Sequence, residues 1–143
     1  MSFDLKIEGG DLVVKGDGTL EPVFNQDKLS QDILKAIFTP TNSHVLHKWY
    51  GSNLSSRVVG SIMSSDLLEM EIKNSIMYAL KNVRTLQDLQ QRDGQFLTGA
   101  ESIVSVQSID VNYMREDPRA VLISIKVLTK SGSILEESFS ISR

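Results

Sequence analysis

His44 and His47 are the only two histidines in the chain, three residues apart and close to the one tryptophan, Trp49. On a helix that spacing would let them share a metal ion. Here they fall in a segment of loop composition, and no third ligand lies nearby in sequence. No metal or cofactor is therefore expected. Carboxylates are the second source of chemistry. A glycosidase needs two of them flanking a bond at roughly 5–10 Å, one in an apolar pocket. Glu69 and Glu71, with Asp66, look like a solvated first turn of a long helix, favoured there by the helix dipole. Glu116-Asp117 and Glu136-Glu137 fall at turns or strand edges. Serines are plentiful, but no Gly-x-Ser-x-Gly elbow is present. Gly16-Asp17-Gly18 is too short for a phosphate loop and does not open a helix. No enzymatic activity is expected from these residues. Trp49-Tyr50-Gly51 points elsewhere: an aromatic pair beside a glycine plugs a core, anchors an interface, or does both.

The elements that must hold these residues follow from the hydrophobic pattern. Phe3, Leu5 and Ile7 alternate as in a half-buried strand, Gly9-Gly10 turns the chain, and Asp11 to Val14 returns. Pro22 makes Thr19 to Val23 an edge strand or an extended lead-in. A helix begins at Asn25, read as its N-cap, with Asp27 in the first turn. Leu29, Ile33, Ala36 and Ile37 share one face, widened by Leu34 and Phe38, while Lys28, Gln31, Asp32 and Lys35 lie opposite. Pro40 stops it. Thr41 to Ser52 is a loop, and Asn53 to Met63 can form a short helix carrying Leu54, Val58, Val59 and Ile62, weakened by Gly60.

A long helix follows Ser64-Ser65, with Leu68, Ile72, Ile76, Ala79, Leu80 and Val83 in register, and ends near Arg92 at Gly94. From Glu101 the period becomes two. Val104 and Val106 share one phase and Ile109, Val111 and Tyr113 the other, so a bulge is expected at Gln107-Ser108. Val121, Ile123, Ile125 and Val127 form the next strand. Lys130 to Ser133 is a hairpin turn, and Leu135, Glu137, Phe139 and Ile141 line one face of the last strand. The sum is α+β: a three-stranded antiparallel C-terminal meander against two main helices, after a short N-terminal β-hairpin.

The 143 residues fit one domain, 1–143, with room for a core. The 41% hydrophobic and 23% charged content is ordinary for a soluble protein. A net charge of -3 argues against nucleic-acid binding. The absence of cysteine removes disulfides and thiolate chemistry and suits a reducing cytoplasm. MSFDLKIEGG lacks the basic and apolar segments of a signal peptide, and no apolar run approaches the ~20 residues of a membrane span.

The order of features resembles the small baseplate wedge proteins of contractile phage tails. That family spans T4-type and P2-type tails, with relatives in type VI secretion. The residues that carry the likeness are Gly9-Gly10-Asp11-Leu12, Leu29-Ser30-Gln31-Asp32-Ile33, Phe38-Thr39-Pro40, and Trp49-Tyr50-Gly51-Ser52-Asn53-Leu54. The resemblance implies a structural part of the virion's tail baseplate, made in the host cytoplasm. Its partners would be larger wedge subunits, the tail sheath and, by extension, the tail tube, with no role for nucleic acid or membrane. The family's sheet offers an edge to sheath strands, which here points to Leu135, Glu137, Phe139 and Ile141. A family Glu-Pro-Arg motif that meets the wedge bundle falls by position at Glu101-Ser102-Ile103, where the Glu alone is kept. Asp117-Pro118-Arg119 reads as a turn. With Trp49 and Tyr50, Glu101 completes the set of expected partner contacts. The alternatives are a peptidoglycan-cleaving enzyme, which the family's old lysozyme name invites, and a type VI secretion baseplate part.

Overall fold

A computed structural model describes residues 2–142. The N-terminal alternation forms two tiny ribbons where a single strand was expected. β1 (Asp4–Leu5) pairs antiparallel with β4 (Pro22–Val23), and β2 (Ile7–Glu8) pairs with β3 (Asp11–Leu12). Lys6 is the hinge: its N–H donates to the Glu21 carbonyl and its own carbonyl accepts the Val13 N–H. The chain therefore switches partner at Lys6, and Leu5 and Ile7 do not share a sheet face.

Helix α1 spans Asn25–Phe38. Its N-cap is Phe24, in extended backbone, whereas Asn25 was expected there. Asn25 instead turns the chain at φ +53, which its short polar side chain tolerates, and its Oδ1 accepts the Thr98 hydroxyl at 3.1 Å. Leu29, Ile33, Ala36 and Ile37 are buried as their spacing requires. Lys28 departs from the polar face assigned to it. It is buried, its stem packed and its ammonium held by Asp32 one turn on, at 2.7 Å.

The short helix is briefer than its pattern. α2 covers only Leu54–Arg57, and Gly60 at φ +74 ends any continuation. Leu54 and Val58 enter the core, whereas Val59 and Ile62 are exposed. The long helix α3 spans Ser65–Arg92. It ends in a Schellman pair: Gly94 N–H donates to the Gln91 carbonyl, and Gln95 N–H to Gln90.

β5 (Ile103–Tyr113), β6 (Ala120–Thr129) and β7 (Ile134–Ser142) form an antiparallel sheet in that order. The expected bulge lies between Val106 and Ser108, and a second lies between Ile103 and Ser105. That second bulge turns Val104 outward. Ile103 and Val106 thus face the helices in place of a Val104–Val106 pair. Val121, Ile123, Ile125 and Val127 are buried beneath α1 and α3. Asp117 makes the β5–β6 turn, accepting the Ala120 N–H on its carbonyl and the Arg119 N–H on its carboxylate. β7 pairs with β6 without a break over nine residues.

Candidate partner interface

Three places carry the candidate contacts. The first is the loop after α1. Pro40 forces Thr39 out of the helix into extended backbone. The chain then returns beside itself: Ser52 N–H donates to the Thr39 carbonyl at 2.8 Å, and Thr41 N–H to the Ser52 carbonyl at 3.1 Å. Ser52 is buried and gives its hydroxyl to the Ile37 carbonyl, one of the acceptors that a helix end leaves open. Helix α3 grips the other side. Asn82 Nδ2 donates to the carbonyls of Trp49 (2.8 Å) and Gly51 (3.0 Å), and the Tyr78 hydroxyl donates to Trp49 at 3.2 Å.

On this fixed base the rings form a run. His44 and His47 stack at 5.5 Å, His47 meets Trp49 at 5.2 Å, and His44 meets the edge of Tyr50 at 5.5 Å. His44 Nδ1 accepts the His47 N–H at 3.1 Å, so that nitrogen is committed within the loop. No cluster of three or more His, Asp or Glu side chains that could hold a metal exists among the described residues. Tyr50 packs against the core cluster, and Trp49 beside it is likewise only partly buried. Burial raises the Tyr50 phenol pKa, the Asp32 and Asp4 charges add to this, and Lys35 opposes it. At the apex Val45 and Leu46 stand 83% and 81% exposed, two aliphatic side chains held in water above a braced loop.

The second place is the start of β5. Gln87 clamps it, donating to the Glu101 carbonyl at 2.6 Å and accepting the Ile103 N–H at 3.1 Å. Glu101 is 1% exposed, and neither carboxylate oxygen has a hydrogen-bond partner among the described residues. A side chain so enclosed offers no surface for the partner contact expected of Glu101, and an unpaired polar group there is costly.

The third is the edge of β7. Leu135, Glu137, Phe139 and Ile141 lie on the helix-facing side: Glu137 accepts the Ser30 hydroxyl, and Phe139 meets Phe38 edge-on at 5.2 Å. Their backbone groups point to β6. Thr129 N–H donates to the Ser133 carbonyl and Met114 N–H to the Ala120 carbonyl, which fixes the alternation along β6. Through the unbroken register, the outward N–H and C=O groups of β7 belong to Ile134, Glu136, Ser138 and Ser140. β5 is the other edge, but its two bulges kink it.

The sequence-level carboxylate candidates are engaged at the surface. Glu69 pairs with Lys73 at 2.6 Å and Glu71 with Arg57 at 3.4 Å. Asn82, Gln87, Val45 and Leu46 were missed. Gln87 was detectable, being a polar residue that continues the apolar stripe one turn beyond Val83. The apex valine and leucine gave no periodic signal.

No protein-family model matches the chain, and no curated protein matches it in sequence. Among solved structures, it is similar to a Geobacter sulfurreducens protein provisionally named a tail lysozyme. The TM-score is 0.51 at 15% identity, covering 80% of this chain and 86% of that one. The likeness is one of fold. Among the described residues no helix is long and apolar enough to cross a membrane.

Proposed function

We propose that the chain is a structural component of a contractile-tail baseplate, acting as one unit that accepts a strand from a neighbouring subunit on β7. The observation that carries this is the edge itself. It has nine residues in unbroken register, no proline within it, and outward donors and acceptors at Ile134, Glu136, Ser138 and Ser140. Such an edge is a template for main-chain pairing, and proteins that do not use one usually bulge or charge it. The fold shared with a protein named for a tail supports the setting. Larger wedge subunits would take the braced loop, through Val45, Leu46, Trp49 and Tyr50. The sheath would take the β7 edge, and incorporation would put the protein in the virion.

Co-expression with neighbouring tail genes, followed by pull-down and mass measurement, tests this. A stable heteromer is expected, with a buried area of roughly 1,000 Å² or more. Failure to recover one overturns the reading. The name of the Geobacter protein favours one rival, a cell-wall hydrolase. A lysis assay on purified protein, with Glu69→Gln, Glu71→Gln and Glu101→Gln, separates the two. The baseplate reading expects no lysis from any of them.

A further inference from the structure

The helix layer is wider than the sheet it covers. Gln26, Ser30, Leu34 and Phe38 recur every fourth residue of α1 and so form one stripe along it. Three of them touch the β7 side of the molecule: Gln26 donates to the Ser133 hydroxyl at 2.7 Å, Ser30 donates to Glu137, and Phe38 meets Phe139. Ser30, Leu34 and Phe38 also line an open groove of about 510 Å³, whose far wall is Ile7 and Gly10 of the N-terminal ribbon. The same stripe thus closes the core beneath β7 on one side and floors an empty groove on the other. Phe38 is 49% exposed there, although its ring already packs on Phe139.

Resting on the strand-addition reading, we infer that this groove is the seat for the inward side chains of the added strand. It selects a strand whose inward positions are apolar and not acidic. A strand paired with β7 lies about 4.8 Å outside it, with its core-facing side chains directed to the helix layer. Ser30 to Phe38 spans about 12 Å of helix, against about 7 Å between successive inward residues of a strand, so two to three inward side chains fit.

Charge selects the chemistry. The groove's cations are already neutralised from within the chain. Lys35 pairs with Asp4 and Asp32, and Lys6 with Glu8 and Glu21. An acidic inward residue would find no free cation among these lysines and would face the carboxylate of Asp27, which also lines the groove. A β-strand is the occupant because the helix that floors the groove also packs on β7, whose outward backbone donors and acceptors a small apolar ligand would leave unsatisfied.

The test fuses a strand to the full chain through a Gly/Ser linker, in two forms. One alternates threonine outward with valine inward; the other replaces each valine with serine. Amide exchange is read at Glu136, Ser138 and Ser140, and side-chain NMR signals at Leu34 and Phe38. The valine strand should slow exchange at least tenfold more than the serine strand and shift both side-chain signals. Leu34→Asp should erase the difference between the two strands, and Ser138→Pro, which removes an outward N–H only, should abolish protection by both. Equal protection by both strands overturns the groove and leaves strand addition standing. So does protection that Leu34→Asp does not change. Protection by neither overturns both. Slowing that depends on protein concentration assigns the edge to a second copy of the chain and overturns the inference as well.

Discussion

Gly51 lies against the carbonyl of Thr39 so closely that no side chain fits between them. A Cβ at Gly51 would overlap that oxygen and stand 3.1 Å from the carbonyl carbon and oxygen of Pro40, at a φ of +110 that L-residues rarely adopt. The loop bearing the histidines and the tryptophan is closed by this contact, together with the Asn82 grip on the neighbouring carbonyls.

Gly51→Ala is therefore expected to cost at least about 3 kcal/mol, since backbone strain and overlap with main-chain atoms add. Gly60→Ala, at φ +74 with open space around it, should cost only about 1 kcal/mol. Urea midpoints of the two variants check the contrast, and similar midpoints would refute it.

Asn82→Leu removes the side-chain donor of the Gly51 carbonyl and one of the two on the Trp49 carbonyl, and should lower stability by about 2 kcal/mol. The Trp49 emission should move to the red as the loop loosens. A blue shift or unchanged emission at the same loss of stability would locate the damage elsewhere.

The apex should matter to partners more than to folding. Val45→Ser with Leu46→Ser is expected to change stability by no more than about 0.5 kcal/mol, because both side chains are in water. Trp49→Ala, at a partly buried ring, should cost about 1 kcal/mol. Both variants should reduce recovery of the heteromer in pull-down, and undiminished recovery would remove the loop from the interface.

The N-terminal ribbon should be tied to α1 only within a pH window. Burial pushes the Asp4 carboxyl up, but the Lys35 ammonium and the Leu5 and Gln31 donors outweigh it and hold it below the usual range. Burial also opposes the Lys35 charge, yet Asp4 and Asp32 raise its pKa above the ordinary value. Support from Asp4 is thus complete above the ordinary carboxylate pKa and lost as pH falls through the lowered one. Support from Lys35 is complete below the ordinary lysine pKa and lost as pH rises through the raised one. Amide exchange at Leu5 and Ile7 should be slowest between roughly pH 4 and pH 10, after correction for intrinsic rates. Asp4→Asn should flatten the acid limb, and salt should weaken both limbs because the pair is partly exposed.

Glu101→Met replaces an unpartnered buried carboxylate with an apolar side chain of similar length. It should stabilise the protein by about 1–3 kcal/mol, read from the urea midpoint. A loss of stability would mean that the carboxylate is satisfied within the chain.

What the sequence determined by itself is everything governed by local period and punctuation. Pro40 and Gly94 set helix ends, alternation over Val121 to Val127 set the central strand, and the phase change at Gln107 set a bulge. These depend on neighbours a few residues away, so the pattern is written in the chain. Asn25, Lys28, Val59 and Val104 departed from their local preference for different reasons: a distant partner, Thr98, for Asn25; packing of the stem, with Asp32 one turn on, for Lys28; the backbone break at Gly60 for Val59; the extra bulge for Val104. Only the tertiary structure decided that Trp49 is held by its carbonyl, that Glu101 is buried without a partner, and that α1 overhangs β7. Each arises where elements far apart in sequence meet, and no local period records which of their polar groups will be left facing one another.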